Sequence, residues 1–127
     1  MYKPNVLDVA KKSPYPPRAF ALVLESMEAT KQYMALGRIK ESDYNRVGEH
    51  ISGQELCEGF RLYCIDAFGR MAPFVLHRLN LKRTEDIGRI IFLLCENELL
   101  GKTDADDEAD FADGYSFQKA FSNIPIE

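Results

Sequence analysis

The sequence has few of the residues and motifs from which catalytic and metal sites are built. It contains three cysteines and two histidines among 127 residues. Cys57 and Cys64 are two helical turns apart, about 10 Å, which is too far to share a zinc ion without other ligands. There is no G-x-S-x-G elbow, and neither G-x-x-x-x-G-K-[ST] nor G-x-G-x-x-G occurs. The sequence therefore predicts no enzymatic activity, no metal and no cofactor.

A reactive cysteine is the sharpest catalytic alternative. Cys57 lies near a predicted helix N-terminus, where a thiolate is favoured, and His50 is close in sequence. Cys57 also borders an apolar helix face, as Cys64 and Cys95 do. This pattern favours three buried, reduced thiols of a cytosolic protein over an active thiol.

No apolar run is long enough to cross a bilayer, which needs about 20 residues. The longest candidate, TEDIGRIIFLLCENELL at 84–100, is interrupted by charge. The first residues, MYKPNVLDVAKK, lack the apolar centre of a signal peptide. A cytoplasmic protein with no membrane partner is expected. The net charge of −4 argues against general binding to nucleic acid or anionic membranes.

The predicted fold is mainly α, a compact bundle of five or six helices around helix 84–98, in one domain over residues 1–127. An apolar fraction of 46% and a charged fraction of 28% are ordinary for such a protein. Thr84 is the expected N-cap and Gly101 the expected C′ residue of the central helix. Its apolar positions leave so little polar surface that burial on several sides is expected: Ile87, Ile90, Ile91, Phe92, Leu93, Leu94 and Cys95.

Local signals place the other helices. Ser52 and Glu55 form a capping box, the clearest of these signals, at the start of a helix that runs to about residue 68 and ends at Gly69. Further helices are expected at 5–12, 18–36 and 73–79, with Pro16 or Pro17 in the first turn of the second. Two short strands at 99–103 and 115–117 could form a small C-terminal hairpin. Two consecutive helices that are joined by a short turn and followed by such a hairpin would be winged-helix-like.

Charge is segregated along the second half of the chain. Residues 61–90 contain six Lys or Arg and three Asp or Glu, a local charge of +3. We call Arg78, Lys82, Arg83 and Arg89 the basic cluster. Acidic residues follow it, and we define four of them as the acidic loop: Asp104, Asp106, Asp107 and Glu108.

The acidic loop does not match a calcium-binding EF-hand. With Asp104 as first ligand, the sixth position is Ala109 instead of Gly and the twelfth is Tyr115 instead of Glu. A solvated acidic loop is therefore favoured over a calcium site.

Four motifs together resemble a small family of conserved hypothetical proteins from planctomycetes and verrucomicrobia. They are YPPRAF at 15–20, HISGQEL at 50–56, RTEDIG at 83–88 and DFADGYSF at 110–117. The resemblance covers nearly the whole chain and implies a compact bacterial protein. It implies no activity and no catalytic residues, because none is established for the family.

Two functions fit these observations. The first is a non-enzymatic protein-interaction module, in which the basic cluster and the acidic loop are surfaces of opposite sign for a protein partner. Such surfaces could also join two copies in a homodimer. The alternative is a winged-helix-like nucleic-acid-binding protein. Helix 84–98 would be the recognition helix, but it is apolar on many sides. Its first turn carries Glu85 and Asp86, which would repel phosphates.

Overall fold

The computed structural model describes residues 5–39 and 51–100. These residues are mainly helical, as predicted, and no strand occurs among them. Residues 101–103 and 115–117 of the predicted hairpin lie outside the described residues. The elements in chain order are α1 (Val6–Lys11), α2 (Pro17–Ala35), α3 (Gly53–Phe68), a 3-10 turn (Gly69–Met71), α4 (Ala72–Arg78) and α5 (Thr84–Glu96).

Capping boxes start α1 and α3, and a proline starts α2. The Asn5 side chain accepts from the Asp8 N–H at 2.9 Å, and the Asp8 carboxylate accepts from the Asn5 N–H at 3.1 Å. Pro17 occupies the first turn of α2, where its missing N–H costs no hydrogen bond. The predicted capping box of α3 is confirmed, with Ser52 and Glu55 exchanging bonds of 2.9 and 3.1 Å.

The core lies between α2, α3 and α5, and α2 packs most extensively against α3. Helix α5 also contacts α1. Its buried face carries Ile87, Ile90 and Leu94, each with no exposed surface. Phe92, in contrast, is 52% exposed. Helix α5 is thus buried on several sides, against α1, α2 and α3, as predicted, and Phe92 lies on its remaining exposed side.

Both predicted ends of α5 need correction. The N-cap residue is Arg83, with extended backbone, and Thr84 is the first helical residue. The helix ends at Glu96, and Glu98 has the left-handed backbone of the C′ residue, at φ 61°; the predicted C′ residue, Gly101, lies outside the described residues. The Leu99 N–H donates to the Leu94 carbonyl at 2.8 Å, which closes a Schellman motif and satisfies a terminal carbonyl.

Replacing Glu98 with glycine is expected to stabilise the protein by about 1 kcal/mol, because glycine adopts a left-handed backbone without steric cost. Urea unfolding followed by circular dichroism measures the change. Asn80→Gly is the matched control, since Asn80 has φ 62° at the equivalent position after α4. Its amide donates to the Pro14 carbonyl at 2.9 Å, so no gain is expected there. A loss of stability in Glu98→Gly would contradict the assignment of the helix end.

Two polar bridges join α2 to α3 at the surface. The Tyr33 hydroxyl donates to Asp66 at 2.9 Å, and the Tyr63 hydroxyl donates to Glu25 at 3.0 Å. Arg38 stacks on the Tyr33 ring at 4.6 Å and pairs with Asp66 at 3.3 Å. Burial and the bond to Asp66 raise the pKa of Tyr33 to about 12, so the phenol stays a neutral donor at physiological pH.

The α-helices of the described residues are 6 to 19 residues long. Among them, none is long and apolar enough to cross a membrane.

Candidate interaction surface

The turn between α4 and α5 presents two residues of the basic cluster to solvent. Leu81 in this turn is 1% exposed and anchors it in the core. The Leu81 N–H donates to the Leu76 carbonyl at 2.9 Å, which ends α4 in a second Schellman motif. Arg78 and Lys82 flank this anchored segment, and both side chains are exposed.

Two long-range hydrogen bonds hold the turn against the segment that precedes α2. Besides the bond from Asn80 to Pro14, the Tyr15 hydroxyl donates to Asp86 Oδ1 at 2.5 Å. Asp86 Oδ2 accepts from the backbone N–H groups of Lys82 and Arg83 at 2.8 and 3.0 Å. One carboxylate thus connects Tyr15, the turn and the start of α5.

Burial is the main reason that the pKa of Tyr15 is raised to about 12, and its hydrogen bond to Asp86 adds to the shift. Tyr15 is 2% exposed and its ring packs edge-on against Phe20 at a centroid distance of 6.4 Å. The phenol is therefore a neutral donor at physiological pH, and Asp86 is its acceptor.

The four members of the basic cluster differ in their electrostatic surroundings. Arg83 pairs with Glu85 at 3.2 Å, and Arg89 lies 3.9 Å from Asp86. These carboxylates offset part of their charge. Arg78 and Lys82 have no ion-pair partner within residues 5–39 and 51–100. Among the described residues, the positive charge of the cluster that no carboxylate offsets is therefore at Arg78 and Lys82.

The acidic loop lies outside the described residues. The predicted pairing of two surfaces of opposite sign, within one chain or between two copies, stays a prediction for that reason.

An exposed apolar pair, not predicted from the sequence, lies near the basic cluster along the chain. Met71 is 58% exposed and Phe74 is 64% exposed. They are three residues apart and so lie on one face of the helical segment 69–78. Ala72 and Leu76 are buried, and Phe74 lies two residues from each, on the opposite side of the helix.

The cysteines pack in the core. Cys57, Cys64 and Cys95 are all buried and none forms a disulfide. Burial raises the pKa of Cys57 and of Cys64 to about 12, so both stay thiols near neutral pH. The expectation of buried, reduced thiols is confirmed. His50, the sequence neighbour of Cys57, lies outside the described residues.

Metal-ligating side chains are dispersed over the helices. Within residues 5–39 and 51–100, no group of three or more His, Cys, Asp or Glu side chains could hold a metal ion.

No family model, curated protein or solved structure matches this chain. The structure nevertheless brings together two of the four motifs noted in the sequence. Tyr15 belongs to YPPRAF and Asp86 to RTEDIG, and they share the short hydrogen bond described above. These two motifs therefore have a joint structural role in fixing the turn that carries Lys82.

Proposed function

We propose that this protein is a non-enzymatic interaction module of a bacterial cytoplasm and that its basic cluster binds an acidic protein partner. The observation that carries the proposal is the exposed pair Arg78 and Lys82, which lacks a carboxylate partner in the described part of the chain. Both residues lie next to Leu81, which anchors the turn, and the turn is fixed by the bond from Asn80 to the Pro14 carbonyl and by the bond from the Lys82 N–H to Asp86.

A fixed turn favours binding because its charged groups lose less freedom when a partner docks. Exposed cations of this kind speed encounter and select partners of opposite sign more than they add affinity. The chain's net charge of −4 also affects how a partner docks. An acidic partner is repelled by most of the surface and attracted at the basic cluster, which fixes the orientation of docking.

The variant Arg78→Glu/Lys82→Glu is expected to lose its protein partners in quantitative pull-downs from bacterial lysate. Reversing two charges turns attraction into repulsion at the contact. Lys11→Glu/Lys12→Glu is the matched control, because it makes the same change of charge at two exposed residues at the end of α1. Partners retained by the first variant, or lost equally from both, would contradict the proposal.

Nucleic-acid binding is the second candidate. An exposed aromatic ring beside arginines, as Phe74 is beside Arg70 and Arg78, is the combination that binds single strands. Winged-helix docking finds less support, because Ile87, Ile90 and Leu94 turn α5 toward the core.

Anisotropy titrations with mixed-sequence duplex and single-stranded nucleic acid over a salt series separate the two candidates. Affinity that falls linearly with salt on a log–log plot would favour the second candidate, provided that alanine at Arg78, Lys82 and Arg83 abolishes the binding. No binding at low salt would remove it.

A further inference from the structure

The apolar pair Met71 and Phe74 stands out among the exposed hydrophobic side chains. Two such side chains close together form a strong potential contact, because removing apolar surface from water is the main favourable term in protein association. An aromatic and a methionine together also adapt well to a partner's shape. Aromatic side chains at the centre of a contact commonly carry most of its binding energy.

The surroundings of this pair are cationic. Arg78 follows Phe74 by four residues on α4 and so lies on its side of the helix. Arg70 lies in the 3-10 turn, four residues before Phe74, and both arginines are exposed. Residues 67–84 contain four Lys or Arg and no Asp or Glu. A partner group that covers Phe74 therefore meets positive charge at both ends.

Three other large apolar side chains are exposed among the described residues. Leu36, the C-cap residue of α2, is 74% exposed, and the nearby Arg38 pairs with Asp66. Phe92 on α5 is 52% exposed, but Arg89 precedes it by three residues and Glu96 follows it by four. Leu7 on α1 adjoins Asp8. Phe74 thus combines high exposure with charged sequence neighbours that are all basic and have no ion pair among the described residues, which distinguishes it from Leu36, Phe92 and Leu7.

The opposite side of α4 holds this pair in place. Ala72 and Leu76 have no exposed surface and fix the helix to the core. Gly69, at φ 55°, ends α3 and redirects the chain into the 3-10 turn that carries Met71. The apolar pair and its arginines therefore lie on a helical segment whose other side packs against the core.

A second copy is a poor occupant of the same face. Two such faces in a symmetric contact would place Arg70 and Arg78 of one copy near those of the other, and like charges repel. The charge pattern instead fits a partner segment that has carboxylates on both sides of an apolar side chain.

We propose that Met71 and Phe74 form the apolar centre of a docking site for a peptide segment with a Phe, Leu or other large apolar anchor between Asp or Glu residues. This inference rests on the proposed function and specifies the partner's chemistry. The anchor packs on Phe74 and Met71, while its acidic neighbours pair with Arg70 and Arg78. The partner segment is thus defined by an apolar group within an acidic run, and net negative charge alone is insufficient.

Selection of a random peptide library on the full-length protein tests the inference. We expect enriched peptides to carry Asp or Glu around a large apolar residue. Their affinity is expected to fall about tenfold or more in Phe74→Ser, which corresponds to about 1.4 kcal/mol. Phe92→Ser is the matched control, because it removes another exposed phenylalanine, and it should leave the affinity within about twofold.

The other outcomes separate this inference from the proposed function. Acidic peptides that depend on Arg78 and Lys82 but bind Phe74→Ser unchanged would overturn the inference and leave the proposed function standing. Absence of enrichment, or enrichment independent of all three residues, would overturn both. Anionic phosphatidylglycerol vesicles or oligonucleotides that bind through Phe74, with no peptide doing so, would also overturn the inference.

Discussion

Replacing Gly59 with alanine is expected to destabilise the folded protein by about 2–3 kcal/mol, although alanine is the better helix former by about 1 kcal/mol. Gly59 lies in α3 where α2 comes closest. A methyl group there would overlap Thr30 Oγ1 and would lie 2.6 Å from Thr30 Cβ. Contacts this short require the helices to separate. Urea unfolding followed by circular dichroism measures the loss.

Thr30 cannot rotate away at low cost. It has no exposed surface, and its hydroxyl donates to the Ser26 carbonyl at 2.6 Å. A different rotamer would leave a buried hydroxyl without that bond, at a cost of about 1–3 kcal/mol.

Thr30→Gly in the Gly59→Ala background is the companion variant. It removes every Thr30 atom that the new methyl group would meet, so it should recover part of the lost stability. The recovery should appear as a favourable coupling energy in a double-mutant cycle. Additive losses from the two substitutions would show that the close contact between the helices does not limit stability. A gain of stability in Gly59→Ala alone would show the same.

Replacing Asp86 with alanine is the second change with a large expected effect, a loss of about 3 kcal/mol. The substitution removes the acceptor of the Tyr15 hydroxyl and of the Lys82 and Arg83 N–H groups. Hydrogen bonds to charged groups contribute about 1.5–3 kcal/mol, and a buried donor left without an acceptor adds to the loss. Thermal and urea unfolding provide the measurement.

Glu85→Ala is the matched control for this prediction. Glu85 is also an acid in the first turn of α5, but its side chain is 40% exposed and pairs with Arg83 at the surface. A loss below about 1 kcal/mol is expected, because exposed ion pairs contribute little. Equal losses from the two variants would assign the effect to negative charge near the helix N-terminus. The bond from Tyr15 would then have no special role.

Tyr15→Phe completes the comparison. In the wild-type background it removes one hydrogen bond and should cost about 1–2 kcal/mol. In the Asp86→Ala background it removes a donor that has already lost its acceptor, so it should cost little or recover stability.

The sequence predicted the mainly helical fold and most helix boundaries because the responsible interactions act within a few residues. The capping box of Ser52 and Glu55, proline in the first turn of α2, and the stops at Gly37 and Gly69 are all local. Its errors were also local in origin. Glu98 adopts the left-handed backbone that a glycine would be expected to supply, so composition misplaced the end of α5.

The candidate surface could be predicted in part. Arg78 and Lys82 were identified from charge alone, and the structure leaves both exposed. The sequence did not reveal that Arg83 and Arg89 lie near carboxylates, because this depends on the directions of the side chains at the start of α5. The exposure of Phe74 depends on which side of α4 faces the core, and an apolar residue in a short helix does not by itself reveal this.

The sequence by itself determined where the helices form, which residues carry charge, and that the cysteines suit an apolar interior. Only the tertiary structure decided that Gly59 meets Thr30, that Phe74 faces solvent, and that Tyr15 reaches Asp86, 71 residues further along the chain. The physical reason is the range of the interactions. Caps and periodicity act over one or two helical turns, whereas these contacts exist only once distant segments pack against each other.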